Sequence, residues 1–556
     1  MRVSEATRLV ELALRHFELT HDRAGACHAT TLVLPRDTFR IGDGAFRRSL
    51  ALAYYRERDT SPSEGSFGSA RATIEGLALY EGEEHQVYLR VGGADGLLYL
   101  DLGDDLRRAV EIAPDGWRIT DDPLVRFLRP PGMTELPEPV AGGTLWDLHP
   151  FLNLSDEHSF RLVVGFLLSA LHPTGPYPHL SLVGEQGSAK STAAAILRAL
   201  IDPNAAALRS PPSEARDLAV ATRGSWVLAF DNVSRIPAEL ADALCRLSTG
   251  GAFATRRLYT DDEEVTFEAR RPVILTSIPE VVTTSDLASR TFTVLCPAIP
   301  DEDRRAEADL WADFEEARPR LMGALCDAAA CALGNLGRTK LDALPRMAEV
   351  ARWVTAAEPA LGWEPGSFLA ALDATRTDAA GAALEGSAVA AYLVALAEGE
   401  GFTGTASDLL KRIEGDAGPE AARSRFFPRN ARALSGQVRR LAPDLSRLGV
   451  SLSFVRSGHD GQRTIRIYGK AAATAAEAEV LPFAKPAPGQ VRAVRQAVEA
   501  LRAIGAEESW GVAKLASLAL AKAAGRVEVA VQALNSMELA APDGSPWTID
   551  MLRGVL

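Results

Sequence analysis

Apolar residues in the first part of the chain recur at two different spacings. Over residues 4–20 they fall on one helical stripe, and helical spacing returns at 44–57 and 68–80. Short apolar runs follow between residues 87 and 112, with Gly-Asp and Pro-Asp-Gly turns between them. These patterns indicate helices followed by a β-meander, and a Pro- and Gly-rich linker comes next. We therefore expect residues 1–140 to form an α+β domain.

Four apolar runs of strand length stand out in the middle of the chain. Each has a glycine, polar or charged residue at one end: Gly184, Asp231, Ser277 and Arg290. A helix-forming segment follows the first run, and helical spacing over 145–178 precedes it. The combination predicts an α/β domain over residues 141–300.

Most of the remaining chain has helical spacing, apart from two strands near residue 460 and a linker after residue 470. Residues 301–384 form a helical domain in which four aromatic residues are the expected core anchors: Trp311, Phe314, Trp353 and Trp363. Residues 385–470 contain three helical segments and then two alternating strands, a pattern typical of a winged helix. A proline-containing linker over 471–490 leads to a helical, helix-turn-helix-like domain over 491–556.

Composition narrows the class of protein. A chain of 556 residues is too long for a single core, and a net charge of −13 argues against a surface that is basic throughout. Nucleic-acid binding must then come from local basic surfaces. The five cysteines are scattered without metal-ligand spacing, and the start of the chain lacks the apolar segment of a signal peptide. We expect a cytoplasmic protein with no membrane segment.

Residues 181–192 are typical of a phosphate-binding loop. An apolar strand leads into a glycine-containing turn and then into Lys-Ser-Thr and a helix. Backbone N–H groups in such a loop cradle phosphates, Lys190 reaches the same phosphates, and Ser191 supplies a hydroxyl to Mg²⁺. The alternative is an ordinary strand–turn–helix corner. The expected nucleotide-binding residues are Gly184, Gly187, Ser188, Ala189, Lys190, Ser191 and Thr192.

Three later positions complete a candidate ATPase site. Asp231 follows an apolar run and is expected to hold Mg²⁺ together with Ser191. Thr276 ends the next run, where a residue that senses the terminal phosphate or the attacking water would lie. Arg290 precedes the fourth run, and a salt bridge to a local acid is its alternative role.

Residues 244–259 add a further motif. They read Leu-Cys-Arg-Leu-Ser-Thr-Gly-Gly-Ala-Phe-Ala-Thr-Arg-Arg-Leu-Tyr and lie between the second and third runs. With this motif and the phosphate loop, residues 179–300 resemble the core of superfamily 3 helicases, which are AAA+-like ATPases of viral, phage and poxvirus-type primase-helicases. The resemblance implies an AAA+-like P-loop ATPase core, a homo-hexameric ring and single-stranded DNA in its central pore.

The resemblance also assigns individual residues. It places Arg256, Arg257 and Tyr259 at a pore hairpin that contacts DNA, where guanidinium groups neutralise phosphates and an aromatic ring stacks on a base. It makes Arg290 an arginine finger that acts on the ATP of the next subunit. The alternative for the hairpin residues is a solvated basic turn beside acidic residues.

The sequence departs from the family pattern at three functional positions: the glycine before the loop lysine, the second acid and the sensor asparagine. Ala189 stands where the loop usually has glycine, and Asn232 stands where a second acid usually acts on the attacking water. The sensor position falls on Thr276, Ser277 or Ile278, depending on alignment. Four carboxylates are close enough in sequence to replace the missing base: Glu214, Asp217, Glu239 and Asp242.

The expected winged helix is rich in arginine. Ten arginines lie between residues 423 and 466. Such a local basic patch gives salt-dependent affinity for phosphates. Protein contacts are the alternative use of this domain. The DNA-contact candidates are Arg432, Arg439, Arg440 and Arg463.

These observations lead to three hypotheses. The first is an ATP-dependent DNA helicase or translocase in the replication of a phage, plasmid or mobile element, with ATP and Mg²⁺ as cofactors. The second is an ATP-binding DNA-binding switch with weak or absent hydrolysis. The third is a signalling ATPase with protein partners, which the arginine-rich domain disfavours.

Overall fold

The computed structural model describes residues 4–256, 264–385, 388–421, 428–457 and 462–469. The chain divides into two compact units, Met1–Ala382 and Ala383–Leu556. The predicted linker and C-terminal helical domain, 471–556, lie outside the described residues. Every helix in the described ranges is too short or too polar to span a lipid bilayer.

The first unit begins with three helices packed on a small sheet. The elements are α1 Glu5–His16, β1 Phe17–His21, β2 Cys27–Thr31, β3 Thr38–Arg40, α2 Gly44–Arg58, α3 Glu64–Tyr80 and β4 Glu83–Glu84. The strand order is β3-β2-β1-β4. Leu9, Phe46 and Ile74, one from each helix, are fully buried in its core.

The helix expected over residues 4–20 ends at His16. Phe17 has an extended backbone and begins β1, which pairs antiparallel with β2 along its whole length. The prediction was wrong for residues 17–20. Phe17 continues the apolar stripe of α1, and the partner strand that decides the conformation is not visible in local spacing.

A β-meander follows, as predicted. The strands are β5 Val87–Tyr88, β6 Val91–Ala94, β7 Leu97–Asp101, β8 Ala109–Ala113, β9 Gly116–Thr120 and β10 Arg126–Phe127. Strands β6 to β9 are antiparallel neighbours in chain order. Val110 and Ile112 are buried in the same hydrophobic cluster as the central sheet of the unit. The buried Arg90 donates to Asp202 Oδ1 at 3.1 Å, so an ion pair also joins the two parts.

A parallel sheet with helices forms the centre of the unit. Its elements are α4 Glu157–Ala170, β11 His179–Val183, α5 Lys190–Ile201, α6 Ala215–Gly224, β12 Leu228–Phe230, α7 Ala238–Thr249, β13 Ala252–Arg256, β14 Glu264–Glu268, β15 Val273–Ser277, α8 Ser285–Ala288 and β16 Thr291–Leu295. The parallel strands have the order β12-β15-β11-β16, and β13 and β14 form a separate hairpin. This arrangement confirms the predicted α/β core. The carboxyl ends of β11, β12 and β15 meet at one edge, where ligands bind in such sheets.

Three long helices follow the sheet along the chain: α9 Glu307–Asn335, α10 Ala348–Leu361 and α11 Ser367–Glu385. Three predicted anchors, Phe314, Trp353 and Trp363, are buried. The fourth, Trp311, is partly buried against the same core. The anchors are therefore confirmed as core residues.

The second unit has the predicted winged-helix fold. Its described elements are α12 Ala388–Glu398, β17 Phe402–Thr405, α13 Ala406–Ala421, α14 Ala431–Arg447, β18 Val450–Ser457 and β19 Gln462–Gly469. The strands form an antiparallel sheet in the order β17-β19-β18. Leu409, Val438 and Ile467 are buried in its core. The short strand β17 was not predicted.

Candidate functional site

The loop between β11 and α5 passes so close to the backbone after β16 that Gly184 has no room for a side chain. A Cβ atom on Gly184 would collide with the carbonyl oxygen of Cys296, so only glycine fits there. Gly187, further along the loop, has φ +80°. No side chain caps the start of α5. Its first N–H groups are therefore available to an anion at the mouth of the loop.

Ala189 has a left-handed backbone, with φ 58° and ψ 22°, directly before α5. A left-handed residue other than glycine costs roughly 1–2 kcal/mol. The glycine usual at this position would avoid that cost. The alanine that replaces the usual glycine therefore strains the backbone of this loop.

Lys190 lies inside the loop and is only 9% exposed. Its Nζ donates to the Glu185 carbonyl oxygen at 2.6 Å and to Ser188 Oγ at 3.1 Å. Burial raises the pKa of the Cys296 thiol to about 11, while the nearby positive charge of Lys190 opposes that rise. The ammonium group is therefore held at the centre of the loop by partners that a phosphate oxygen can replace.

Asp231, which follows β12, accepts hydrogen bonds from α5 and from β15. Ser191 Oγ donates to Asp231 Oδ1 at 2.7 Å, and Thr276 Oγ1 donates to the same oxygen at 2.5 Å. The backbone N–H of Asn232 donates to Thr276 Oγ1 at 2.9 Å. The structure thus brings Ser191, Asp231 and Thr276 together at the edge where their strands end. A hydroxyl and a carboxylate oxygen are donors suited to Mg²⁺.

Thr276 is one of three residues that alignment offers as the sensor. Its hydroxyl contacts Asp231, whereas the backbone oxygen of Ser277 accepts a 3.2 Å hydrogen bond from Gly184 N. Ile278 is half exposed. This geometry favours Thr276, which stays a prediction.

Asn232 also has a left-handed backbone, with φ 57°. Asparagine tolerates this conformation better than most residues. None of the four replacement bases hydrogen-bonds to Ser191, Asp231 or Thr276 within the described part of the chain. Asp217, for example, accepts a 3.0 Å bond from Ser213 next to its own helix.

Arg290 lies at the amino ends of the parallel strands, whereas Lys190 lies at their carboxyl ends. Arg290 directly precedes β16, and its carbonyl oxygen accepts a hydrogen bond from the first residue of β11, His179, at 2.9 Å. Its Nη1 forms a 2.7 Å ion pair with Asp286, and this contact lowers the pKa of the Asp286 carboxyl. A five-residue strand is about 16 Å long. Arg290 therefore cannot reach the phosphate loop of its own chain.

The predicted DNA contacts of the first unit are only partly described. Arg256 ends β13, opposite Glu264 in β14. Arg257 and Tyr259 lie outside the described residues. The three DNA contacts stay predictions.

In the second unit, Arg432 and Arg439 are exposed on α14, and Arg440 follows on the same helix. The Arg439 guanidinium lies 4.9 Å from the centre of the Phe454 ring on β18. Arg463 belongs to β19, where it is paired with Arg456 of β18. The two exposed arginines, Arg432 and Arg439, give α14 a local positive charge.

Sequence analysis missed Asn153, which is distant from every motif. Its Nδ2 donates to the Ser188 carbonyl oxygen at 3.1 Å and to the Pro297 carbonyl oxygen at 2.6 Å. Asn153 thus fastens the phosphate loop to the segment after β16. An asparagine before Leu-Ser-Asp carries no local signal of this kind.

Several solved structures are similar to the chain at low identity. The apo C-terminal region of NrS-1 is 11% identical, with 84% of this chain and 100% of that chain covered and a TM-score of 0.38. The SCCmec type IV Cch helicase is 12% identical, with 83% and 94% covered and a TM-score of 0.43. A full-length MCM homolog from Methanopyrus kandleri is 15% identical, with 51% and 74% covered and a TM-score of 0.25.

Two family models match the chain, although no curated protein does. Residues 146–378 match the actinomycete integrative conjugative element replication protein, and residues 388–480 match the C-terminal domain of AICE RepA. The first match contains the phosphate loop and Asp231, and the second contains the winged helix. These two segments of the chain are thus similar to actinomycete integrative conjugative element replication proteins.

Proposed function

We propose that this chain is a replication protein of a mobile element and acts on the element's DNA as an ATP-dependent helicase or translocase. One observation carries the proposal. The 2.7 Å hydrogen bond between Ser191 and Asp231 lies next to Lys190, at the carboxyl edge of a parallel sheet. This is the combination of groups that binds a nucleoside triphosphate and its metal ion in phosphate-loop ATPases.

Lys190 binds the phosphates of ATP in this proposal. Its ammonium exchanges the Glu185 carbonyl oxygen and Ser188 Oγ for phosphate oxygens. The N–H groups at the start of α5 add hydrogen-bond donors, and the helix dipole favours the negative charge. The candidate nucleotide-binding residues belong to this loop and to the first turn of α5: Gly184, Gly187, Ser188, Ala189, Lys190, Ser191 and Thr192.

Ser191 and Asp231 fit a magnesium ion, because Ser191 Oγ and Asp231 Oδ1 are hard oxygen ligands that lie 2.7 Å apart. Mg²⁺ bound there would neutralise negative charge on the phosphates. Thr276 fixes the Asp231 carboxylate through its 2.5 Å hydrogen bond, and its position suits a sensor of the terminal phosphate.

Arg290 acts in trans in the proposed enzyme. It lies at the amino ends of the strands, one strand length away from its own phosphate loop. Its side chain is 13% exposed there. A ring of identical subunits, which we propose to be a hexamer, would bring this end of the sheet to the ATP of a neighbour. An arginine finger of this kind contributes roughly 10³–10⁵ in rate.

DNA contacts are proposed in both units. Arg256, Arg257 and Tyr259 contact single-stranded DNA in a central pore, and the arginines of the winged helix bind DNA phosphates. The exposure of Arg432 and Arg439 on α14 supports the proposed binding of DNA phosphates by the winged helix.

The proposal is tested by DNA-stimulated ATP turnover of the full chain and its Lys190→Ala variant. We expect turnover to fall to background in Lys190→Ala. The matched control is Lys340→Ala, because Lys340 is exposed and distant in sequence from the loop. Equal turnover by the wild type and Lys190→Ala would refute the ATPase assignment.

A second candidate is an ATP-binding DNA switch. Asn232 favours it, because this residue stands in place of the second acid and none of the four replacement bases hydrogen-bonds to Ser191, Asp231 or Thr276 among the described residues. Displacement of a strand from a forked duplex supports the helicase. ATP-dependent DNA binding without strand displacement supports the switch.

A further inference from the structure

The segment after β16 runs along the phosphate loop and is attached to it at several points. The N–H of Cys296 donates to the Val183 carbonyl oxygen at 2.7 Å, and the Cys296 carbonyl packs against Gly184. Asn153 joins Ser188 of the loop to Pro297. These contacts give the segment a defined position beside the loop.

The same segment then places a second cation over the loop. Arg304 follows the 3-10 turn Asp301–Asp303, and its Nη2 lies 3.5 Å from the point where a Cβ on Gly187 would be. Gly187 is exposed at the middle of the loop, between the strand and Lys190. The Arg304 guanidinium therefore lies at the mouth of the loop, on the side open to solvent.

The present partner of Arg304 holds it weakly. Its Nε is 3.2 Å from Asp301 Oδ1, and the two side chains are 57% and 91% exposed. Exposed ion pairs contribute little because water screens them. The guanidinium keeps further N–H donors on its other nitrogens, in the planar fork that suits phosphate oxygens.

We infer that Arg304 binds the phosphates of the nucleotide in the loop of its own chain. This inference rests on the proposed function. Any phosphate that contacts the loop N–H groups and Lys190 lies within the reach of a guanidinium beside Gly187. Arg304 is thus a cis phosphate ligand, in contrast to Arg290, which lies at the amino ends of the strands.

Equilibrium binding of a fluorescent ATP analogue to the full chain tests the inference. Arg304→Ala should weaken binding about tenfold, as expected for the loss of a charge-assisted hydrogen bond. Arg304→Lys should lie between this variant and the wild type, because it keeps the charge and loses the fork. Arg305→Ala is the matched control, since Arg305 is an adjacent exposed arginine paired with Asp313.

The outcomes separate this inference from the proposed function. If Lys190→Ala loses binding while Arg304→Ala binds like Arg305→Ala, Arg304 is a surface residue and the inference is overturned alone. If Lys190→Ala retains wild-type binding, the nucleotide site and the inference fall together. Equal weakening by Arg304→Ala and Arg305→Ala also overturns the inference, because it indicates only a general effect of charge.

Discussion

Ser191 and Asp231 lie 40 positions apart in the chain, and Ser191 Oγ donates a 2.7 Å hydrogen bond to Asp231 Oδ1. The contact crosses from the start of α5 to the end of β12, although β15 separates β12 from β11 in the sheet. Thr276, at the end of β15, bonds to the same carboxylate oxygen and fills the gap. The start of α5 and the ends of β12 and β15 therefore meet at one carboxylate oxygen next to the phosphate loop.

This arrangement makes Asp231 the residue most sensitive to substitution in the metal site. Asp231→Asn keeps the shape of the side chain and removes its charge. We expect ATP turnover at saturating Mg²⁺ to fall by about 100-fold or more, since metal coordination supplies several kcal/mol of charge stabilisation. A magnesium titration of turnover provides the measurement.

Asp309→Asn is the control for Asp231, because Asp309 is an exposed carboxylate on the first turn of α9. It should leave the titration unchanged. A wild-type magnesium profile for Asp231→Asn would exclude Asp231 as a metal ligand.

Ala189 gives a prediction about stability. With φ 58° it occupies a conformation that favours glycine, so Ala189→Gly should raise the free energy of unfolding of the first unit by up to about 1 kcal/mol. Ala312→Gly, at an exposed position inside α9, should lower it by about 1 kcal/mol. Thermal unfolding of the two variants measures the difference. A lower midpoint for Ala189→Gly would show that the alanine is not strained.

Local motifs predicted the chemistry of the site better than its construction. Gly-Ser-Ala-Lys-Ser and a strand-terminal aspartate are local patterns, and each has a direct chemical meaning. The strand order is not local, so the sequence did not reveal that Thr276 lies between Ser191 and Asp231. Asn153 and Arg304 reach the loop from other parts of the fold, and neither stands in a recognisable pattern.

The same distinction explains the domain patterns. Helical spacing predicted α2, α3 and the helices of the winged helix, because each has an apolar face that packs on a local core. The spacing failed at Phe17, where one residue serves both the stripe of α1 and the start of β1. It also missed β17, a four-residue strand that exists through its pairing with β19.

Arg290 allows a test of action between subunits. Arg290→Ala should retain ATP binding and lose turnover by about 10³-fold, because an arginine finger stabilises only the charge of the transition state. Mixing Arg290→Ala with Lys190→Ala should restore part of the activity. In mixed rings, the intact loop of the first variant meets the intact arginine of the second.

The control for Arg290 is Arg346→Ala, since Arg346 contacts the same Asp286 carboxylate at 2.5 Å. It should keep turnover, which separates loss of the finger from loss of the ion pair. Absence of any recovery on mixing, with both variants assembled, would place Arg290 outside the active site of a neighbour.

The winged helix provides the last prediction, which concerns DNA affinity. Arg432 and Arg439 are exposed on α14, and the contact of Arg439 with the Phe454 ring holds its guanidinium in place. A guanidinium that neutralises a DNA phosphate adds about 0.9 to the slope of log affinity against log salt concentration. The double variant Arg432→Ala/Arg439→Ala should therefore bind duplex DNA more weakly, with a slope reduced by about 2. Lys411→Ala removes an exposed charge from α13 instead and should leave the slope unchanged. A wild-type slope in the double variant would assign this face of α14 to protein contacts, because a surface that binds no phosphate releases no counterions.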